Sequence, residues 1–230
     1  SPSENGETYE VINPATEEVL GHASKASSAD VQRALQSAEQ GVKVWRKSQP
    51  WQRKYVFRKI SDKIIEKKDL LAKCMTLENG KPLVEGIGET NGAADIFEWN
   101  AEETKRIFGQ TIESRFEDTR VHVYYQPVGV VAALSPWNFP LILAARKIST
   151  ALAAGCSVII KPDTITPGVV MELVDICREC GVPPGAVNLL SGDPPSIASQ
   201  LIQSDIIKKI SMTGSVRVGK LILKQAADKV

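Results

Sequence analysis

Apolar residues follow two different periods along this chain, and the change of period divides it in two. From Val31 to Trp45, apolar positions recur every three or four residues, the period of a helix with one buried face. From Val128 onward, short runs of consecutive apolar residues alternate with helical stretches, as expected for strands covered on both faces. This alternation predicts an α/β fold with a doubly wound parallel sheet, and the earlier helices predict an amino-terminal layer packed on it.

The first part of the sequence predicts one hairpin and four helices. Tyr9–Asn13 and Glu17–Leu20 flank a Pro-Ala-Thr turn and are expected to pair. Ser27-Ser28 offers caps for the first helix, and Asp30 favours its first turn. Asn79-Gly80 is a helix stop and should end the third helix. The other helices are expected at Pro50–Glu66, Leu70–Leu77 and Leu83–Phe108.

The second part predicts a βαβ unit that continues into further strands and helices. Val128–Leu134 and Val158–Ile160 are apolar runs typical of buried parallel strands. The helix between them begins at Pro140 and ends at Gly155. The elements that follow are expected at Pro167–Glu179 (helix), Val187–Leu190 (strand), Ser196–Gln203 (helix), Ile206–Ser211 (strand) and Ser215–Ala227 (helix).

Several spaced motifs, in order, resemble the aldehyde dehydrogenase superfamily, and most closely its succinate-semialdehyde dehydrogenase type. The motifs are Pro136-Trp137-Asn138-Phe139-Pro140, Ala153-Ala154-Gly155, Lys161-Pro162 with Thr166-Pro167, and Met212-Thr213-Gly214-Ser215 followed by Gly219. A set of this kind is much more specific than any one of its members. The resemblance runs from Asn13 almost to Val230, and it implies the amino-terminal half of a longer enzyme.

The same resemblance implies a division into three segments. Residues 1–120 hold the hairpin and the helices that pack on the cofactor domain, and residues 128–230 form a Rossmann-like NAD(P)-binding core. Residues 121–127 form a bridging strand through which subunits of the family associate, so a homodimer or homotetramer is expected. The family's catalytic cysteine and its glutamate base are expected beyond residue 230.

Asn138 follows the first strand of the βαβ unit, at the sheet edge where open α/β proteins bind ligands. Its side-chain amide offers two donors. In the family this asparagine stabilises the oxyanion that forms when a thiolate attacks an aldehyde. The alternative is that Asn138 merely caps the helix that begins at Phe139.

The ends of the first two strands supply further cofactor contacts by resemblance. Lys161 is assigned to hydroxyls of the adenosine ribose, with an exposed strand-end lysine as the alternative. Ser135, Pro136 and Trp137 are assigned to the same cofactor site.

Residues Asp163 and Thr164 bear on the choice between NAD and NADP. The common family pattern is Lys-Pro-Ser-Glu, and its glutamate contacts the ribose 2′- and 3′-hydroxyls. Here Thr164 replaces that glutamate, while Asp163 stands next to it. A carboxylate repels a 2′-phosphate and threonine does not, so either NAD or NADP is expected.

Gly214 and Ser215 form the turn into the last helix. Glycine allows a close approach of the backbone, and a helix N-terminus attracts phosphate. The spacing is not that of the six-residue G-x-G-x-x-G fingerprint. By resemblance Ser215 meets the cofactor pyrophosphate, and Val218 packs against the cofactor.

Arg146 lies eight residues after Asn138, about two helical turns along. Its neighbours Leu141, Ala145 and Ile148 are apolar, so an arginine here is expensive unless it is paired. The succinate-semialdehyde type carries an Arg-Lys pair at this place, and a guanidinium suits a substrate carboxylate. The alternative is a salt bridge at the surface or between domains.

Composition and charge argue against some classes of partner and against a metal site. The net charge of +1 gives no reason to expect nucleic acid or an anionic membrane as a partner. Four cysteines without a signal peptide indicate reduced thiols, in the cytoplasm or in a mitochondrial matrix after removal of a targeting peptide. Cys177-x-x-Cys180 has no second Cys or His pair nearby, so no metal site is predicted.

The resemblance implies an oxidoreductase that converts an aldehyde to its acid with NAD(P)+ through a cysteine thioester. Succinate semialdehyde or a related carboxylated semialdehyde is the expected substrate. An aldehyde dehydrogenase of other specificity, with Arg146 structural, is one alternative. A truncated, non-catalytic nucleotide-binding protein is another.

Overall fold

The fold is that of a computed structural model that describes residues 3–229. The predicted hairpin is present: β1 (Thr8–Ile12) pairs antiparallel with β2 (Val19–Ser24). The second strand is longer than predicted, because its pairing with β1 continues to Ser24 opposite Thr8.

Four helices follow the hairpin: α1 (Ser28–Trp45), α2 (Pro50–Glu66), α3 (Lys68–Asn79) and α4 (Leu83–Glu103). Ser27 caps α1 as predicted, and it also forms a capping box with Asp30. Gly80, at φ 80°, ends α3.

The fourth helix is shorter than the expected Leu83–Phe108. After Glu103 only a 3₁₀ turn remains, at Thr104–Arg106. Ile107 and Phe108 continue the apolar pattern but are exposed, so no core contact extends the helix. Gly109 then enters a tight ribbon, where a Cβ atom on it would lie 2.3 Å from the Val123 carbonyl oxygen.

That ribbon consists of β3 (Gln110–Glu113) paired antiparallel with β4 (Arg120–Val123). A strand was predicted at 121–127, and β4 ends earlier, at Val123, whereas β3 was not predicted. The residues of β3 are all exposed, so they lack the alternation of buried and exposed positions that marks a half-buried strand.

The central sheet has four parallel strands in the order β7-β6-β5-β8. The strands are β5 (Val130–Leu134), β6 (Ser157–Lys161), β7 (Val187–Leu189) and β8 (Ile207–Met212). The helices after them are α5 (Pro140–Ala153), α6 (Gly168–Glu179), α7 (Pro194–Gln203) and α8 (Val216–Ala226). The predicted α/β fold with a parallel sheet is confirmed.

Helices cover both faces of this sheet. Val131 and Ala133 of β5 point into a core shared with α2–α6, whereas Val130 and Ala132 point to the opposite face, against α1 and α7. Helix α1 therefore does not lie in one layer with α2–α4. It presses so closely on the loop before β7 that a Cβ atom on Gly41 would lie 2.0 Å from the Gly185 carbonyl carbon.

No helix within residues 3–229 combines the length and the apolar character needed to cross a membrane.

Candidate active site

Three strand ends are joined at the carboxyl edge of the sheet. Beyond β5, the Ser135 N–H donates to the Lys161 carbonyl at 3.1 Å. On the other side, the Thr213 N–H donates to the Leu134 carbonyl at 3.2 Å. These bonds place the turns that carry Asn138, Lys161 and Ser215 side by side, as the sequence predicted for a ligand site.

The Asn138 side chain is exposed, and within the described part of the chain it has no hydrogen-bond partner. The N-cap of α5 is Phe139, and no side chain caps the helix from that position. The capping alternative for Asn138 is therefore wrong. Its two amide donors are free for a ligand.

Two side chains from the helical region donate hydrogen bonds to the backbone of the turn that carries Asn138. Asn79 donates from Nδ2 to the Trp137 carbonyl at 2.9 Å, and Lys81 donates from Nζ to the Asn138 carbonyl at 3.1 Å. The Lys81 ammonium also lies 4.6 Å from the centre of the Phe139 ring. Asn79 is the last residue of α3 and Lys81 lies in the short connection to α4, so the turn is fixed from the direction of the helical layer.

Glu89 of α4 supplies the missing cap of α5. Its Oε1 accepts hydrogen bonds from the N–H groups of Leu141 at 2.9 Å and Ile142 at 3.1 Å. Its Oε2 forms an ion pair with Lys81, and both side chains are buried. This contact was not predicted from the sequence, although the spacing of Glu89 with the apolar residues of α4 indicates that it is buried.

Lys161, the last residue of β6, is a buried lysine with 5 % of its surface exposed. No carboxylate of residues 3–229 forms an ion pair with it. Burial lowers the pKa of Lys161, and the charges of Asp163 and Asp193 only partly oppose that effect. The Oγ atom of Ser135, on the adjacent strand end, is fully enclosed and likewise has no partner among these residues. Unpartnered donors at this edge fit a ligand rich in hydroxyl groups.

The loop after Lys161 is shaped by Asp163, whose Oδ1 accepts a hydrogen bond from the Ile165 N–H at 3.2 Å. Asp163 therefore has a local structural contact, and Thr164 beside it is partly exposed.

The helices that follow the strands of the sheet differ in whether a carboxylate caps their N-terminus. Glu78 accepts from the N–H groups of Gly168 at 2.7 Å and Val169 at 3.3 Å at the start of α6. Asp193 caps α7, and Glu89 caps α5. Helix α8 begins instead at Ser215, whose Oγ accepts from the Val218 N–H at 3.3 Å. Within residues 3–229, no carboxylate occupies the α8 terminus, which leaves its positive end open to an anion.

Arg146 is exposed on α5, so the helix turns it away from its buried apolar neighbours. Its exposure removes the cost that an unpaired arginine among apolar residues would have. Arg146 lines a groove of about 580 Å³ together with Trp99, Asn100 and Thr150. No carboxylate of the described residues pairs with it, and Asn138 does not line this groove.

Lys147 behaves differently from its neighbour. It donates from Nζ to the hydroxyls of Thr213 at 2.8 Å and Ser211 at 3.2 Å. Burial, followed by the charge of Arg146, lowers the pKa of Lys147. The Arg-Lys pair therefore divides its contacts between an open groove and the end of β8.

The four cysteines are free thiols. Burial and the nearby Glu78 carboxylate raise the pKa of Cys74 to about 12, and burial also raises the pKa of Cys177 and of Cys180. These shifts disfavour the thiolate form that a nucleophile needs. In the described chain no group of three His, Cys, Asp or Glu side chains could hold a metal ion.

Comparison with known proteins adds the following. A model of the aldehyde dehydrogenase family matches residues 1–230. The chain is 39 % identical over 228 residues to the glutarate-semialdehyde dehydrogenase of Pseudomonas putida, covering 99 % of this chain and 48 % of that protein. It is 38 % identical over 226 residues to the NADP⁺-dependent succinate-semialdehyde dehydrogenase of Escherichia coli, covering 98 % and 47 %.

A solved structure matches equally well. The crystal structure of succinate-semialdehyde dehydrogenase from Burkholderia pseudomallei superposes with a TM-score of 0.98 at 38 % identity. The match covers 100 % of this chain and 48 % of that one. The chain thus spans about half the length of the curated relatives it matches.

Proposed function

The chain belongs to the aldehyde dehydrogenase family, and we propose that it forms the cofactor-binding half of an NAD(P)-dependent enzyme that oxidises a semialdehyde to its acid. One observation carries the proposal. The free amide of Asn138, the unpaired ammonium of Lys161 and the open helix terminus at Ser215 lie on neighbouring strand ends. The first suits an oxyanion, the second a ribose and the third a phosphate.

Asn138 is the proposed catalytic residue of this half. When a thiolate attacks an aldehyde carbon, negative charge develops on the carbonyl oxygen, and the Asn138 amide can donate to it. A preorganised donor of this kind is worth about 3–4 kcal/mol, or roughly 10²–10³ in rate. The thiolate would come from the family's cysteine, which the resemblance puts beyond residue 230.

The proposed cofactor site consists of residues at the three strand ends. Lys161 would donate to ribose hydroxyls, and the backbone N–H groups at Ser215 would meet the pyrophosphate. NAD(P)⁺, when bound, supplies the hydride acceptor. The remaining proposed contacts are Ser135, Pro136, Trp137, Asp163, Thr164, Gly214 and Val218.

The proposed substrate is succinate semialdehyde or a related semialdehyde with a distal carboxylate. Arg146 is the proposed partner of that carboxylate, supported by its exposure and by the lack of a paired carboxylate among residues 3–229. Both relatives named above act on semialdehydes of this class by their names. An enzyme for other aldehydes is the second candidate, favoured by the separation of the Arg146 groove from Asn138.

We also propose that the β3–β4 ribbon mediates homodimer or homotetramer formation. The ribbon exposes Ile112 and Val121, and exposed apolar strands commonly mark association surfaces. We place the protein itself in the cytoplasm or a mitochondrial matrix, where its free thiols would stay reduced.

The test is reduction of NAD⁺ and NADP⁺ by the full-length polypeptide that contains this chain. Succinate semialdehyde should support turnover, and butanal, which lacks the carboxylate, should be a far poorer substrate. Equal turnover with both aldehydes would favour the second candidate. Cofactor binding without any aldehyde-dependent reduction would contradict the proposed activity and leave a non-catalytic nucleotide-binding protein.

A further inference from the structure

Three side chains from outside the central sheet converge on the turn that carries Asn138. They are Asn79, Lys81 and Glu89, here called the clamp. Together they bond two successive carbonyls, of Trp137 and Asn138, and the first free N–H groups of α5. The turn is thus fixed on both sides of Asn138, whose own side chain has no hydrogen-bond partner among residues 3–229.

Within the clamp, Glu89 provides the helix cap that a residue next to the first turn of α5 could have provided. A Ser, Thr, Asp or Asn at the N-cap position can cap a helix locally, as Ser27 does for α1, whereas the N-cap of α5 is Phe139, which makes no such bond. The cap comes instead from Glu89, 52 positions away along the chain. A local cap would stabilise α5 equally well but would not tie the turn to α4.

Stability alone is a weak reason for the buried ion pair within the clamp. The side chains of Lys81 and Glu89 are 6 % and 1 % exposed. Desolvation of two such charges offsets most of their attraction, so a buried pair seldom adds much net stability. What the pair does fix is geometry, because Lys81 also bonds the Asn138 carbonyl and Glu89 also bonds α5.

We propose that Asn79, Lys81 and Glu89 are positioning residues that hold the Asn138 amide in place to receive the oxyanion. Fixing the carbonyl of Asn138 itself limits rotation of its own backbone, which leaves only two side-chain torsions to place the amide. The inference rests on the proposed role of Asn138.

The test is the single-turnover rate of NAD(P)H formation in the full-length polypeptide, at saturating aldehyde and cofactor. The double variant Lys81→Met/Glu89→Gln removes both charges at once, so no unpaired charge stays buried. We expect a loss of about 10- to 100-fold, as for a displacement of about 1 Å in a catalytic group, with an unchanged dissociation constant for the cofactor.

A double-mutant cycle separates positioning from general damage. In an Asn138→Ala background the clamp variant should cause no further loss, because the group that it positions is gone. An equal loss in both backgrounds, or no loss in either, would overturn the inference while leaving Asn138 as the oxyanion donor. Full activity of Asn138→Ala alone would instead overturn the proposed function itself.

Two further variants provide a substitute for the double variant and a matched control. Asn79→Leu has a similar size and removes the donor to the Trp137 carbonyl without adding a charge, so it carries the same cycle if the double variant fails to fold. Arg58→Met/Glu98→Gln is the matched control, since it removes an exposed ion pair between α2 and α4. The control should leave the single-turnover rate unchanged, and a loss as large as that of the clamp variant would contradict a specific role for the clamp.

Discussion

Helices α5 and α8 both begin at the carboxyl edge of the sheet, on either side of the same strand ends. The N-terminus of α5 is filled by the buried Glu89 carboxylate, whereas that of α8 carries only the neutral, exposed Ser215. Each terminus carries about half a positive charge, which an anion can neutralise. In α5 the protein supplies the anion itself, so the terminus serves to connect α5 to α4. In α8 the terminus stays open, and we propose that a phosphate of the cofactor takes that place.

The N-terminus of α6 is capped in the same way as that of α5. Glu78 of α3 accepts hydrogen bonds from its first N–H groups, as Glu89 of α4 does at α5. Two glutamates from one helical region thus close two of the helix ends along the edge. The helical region therefore does more than cover the sheet, because it supplies the carboxylates at the N-termini of α5 and α6.

The largest effect is expected from Asn138→Ala. This change leaves the filled terminus of α5 intact and removes only the free amide beside it. The single-turnover rate of the full-length polypeptide should fall by about 10²–10³-fold, while its thermal unfolding stays close to that of the wild type. A rate within a few-fold of the wild type would show that the free amide at α5 is not catalytic.

Arg146→Met should weaken the enzyme for one class of aldehyde only. A charge-assisted hydrogen bond is worth about 1.5–3 kcal/mol, so kcat/KM for succinate semialdehyde should fall by roughly 10- to 100-fold. The value for butanal should not change, because butanal has no carboxylate. Steady-state kinetics with both aldehydes checks this, and equal losses would assign Arg146 a structural role.

Thr164→Glu tests the loop that leads to α6. A carboxylate there would repel a 2′-phosphate, so the preference for NAD⁺ over NADP⁺ should rise by about tenfold, the effect of roughly 1.4 kcal/mol. Titration of the two cofactors measures the ratio. Thr164→Gln is the control, since it adds similar bulk without charge, and an equal shift in both variants would contradict the electrostatic explanation.

The smallest effect concerns Glu78 and pH. Burial raises the pKa of Glu78 above its ordinary value of 4.5, although its bonds from Gly168 and Val169 oppose this. The folded state then binds more protons than the unfolded state above that pH, so the related stability is present in acid and lost as pH rises through the folded pKa.

The free energy of unfolding of the wild type, relative to Glu78→Gln, should therefore decline as pH rises above 4.5 and then level off. Urea unfolding over the acidic to neutral range measures the difference. A difference for Glu78→Gln that increases with pH would contradict the raised pKa.

The elements of the fold could be predicted because their signals are local. The apolar runs of β5 and β6 and the proline at the start of α2 each act within a few residues, and α2 was predicted at Pro50–Glu66 as found. The placement of the turns after β5 and β6 at one edge also followed, since parallel strands share a carboxyl edge.

What could not be predicted depends on contacts between distant residues. Nothing near Glu89 or Glu78 indicates that each bonds a helix that begins 50 or more positions later. The packing of α1 on the opposite face depends on the fit of Gly41 against Gly185, which no periodic pattern encodes. The exposed strand β3 lacked a signal for a similar reason, since only its pairing with β4 defines it.

The most direct test of this account is to fill the open terminus of α8. Ser215→Asp would place a carboxylate there, as Glu89 does at α5, while still capping the helix. Titration calorimetry with NAD⁺ should then show affinity reduced by about tenfold or more, from roughly 1.4 kcal/mol of repulsion. Binding of adenosine, which has no phosphate, should stay unchanged. Unaltered NAD⁺ affinity in Ser215→Asp would contradict the claim that this terminus receives the cofactor phosphates.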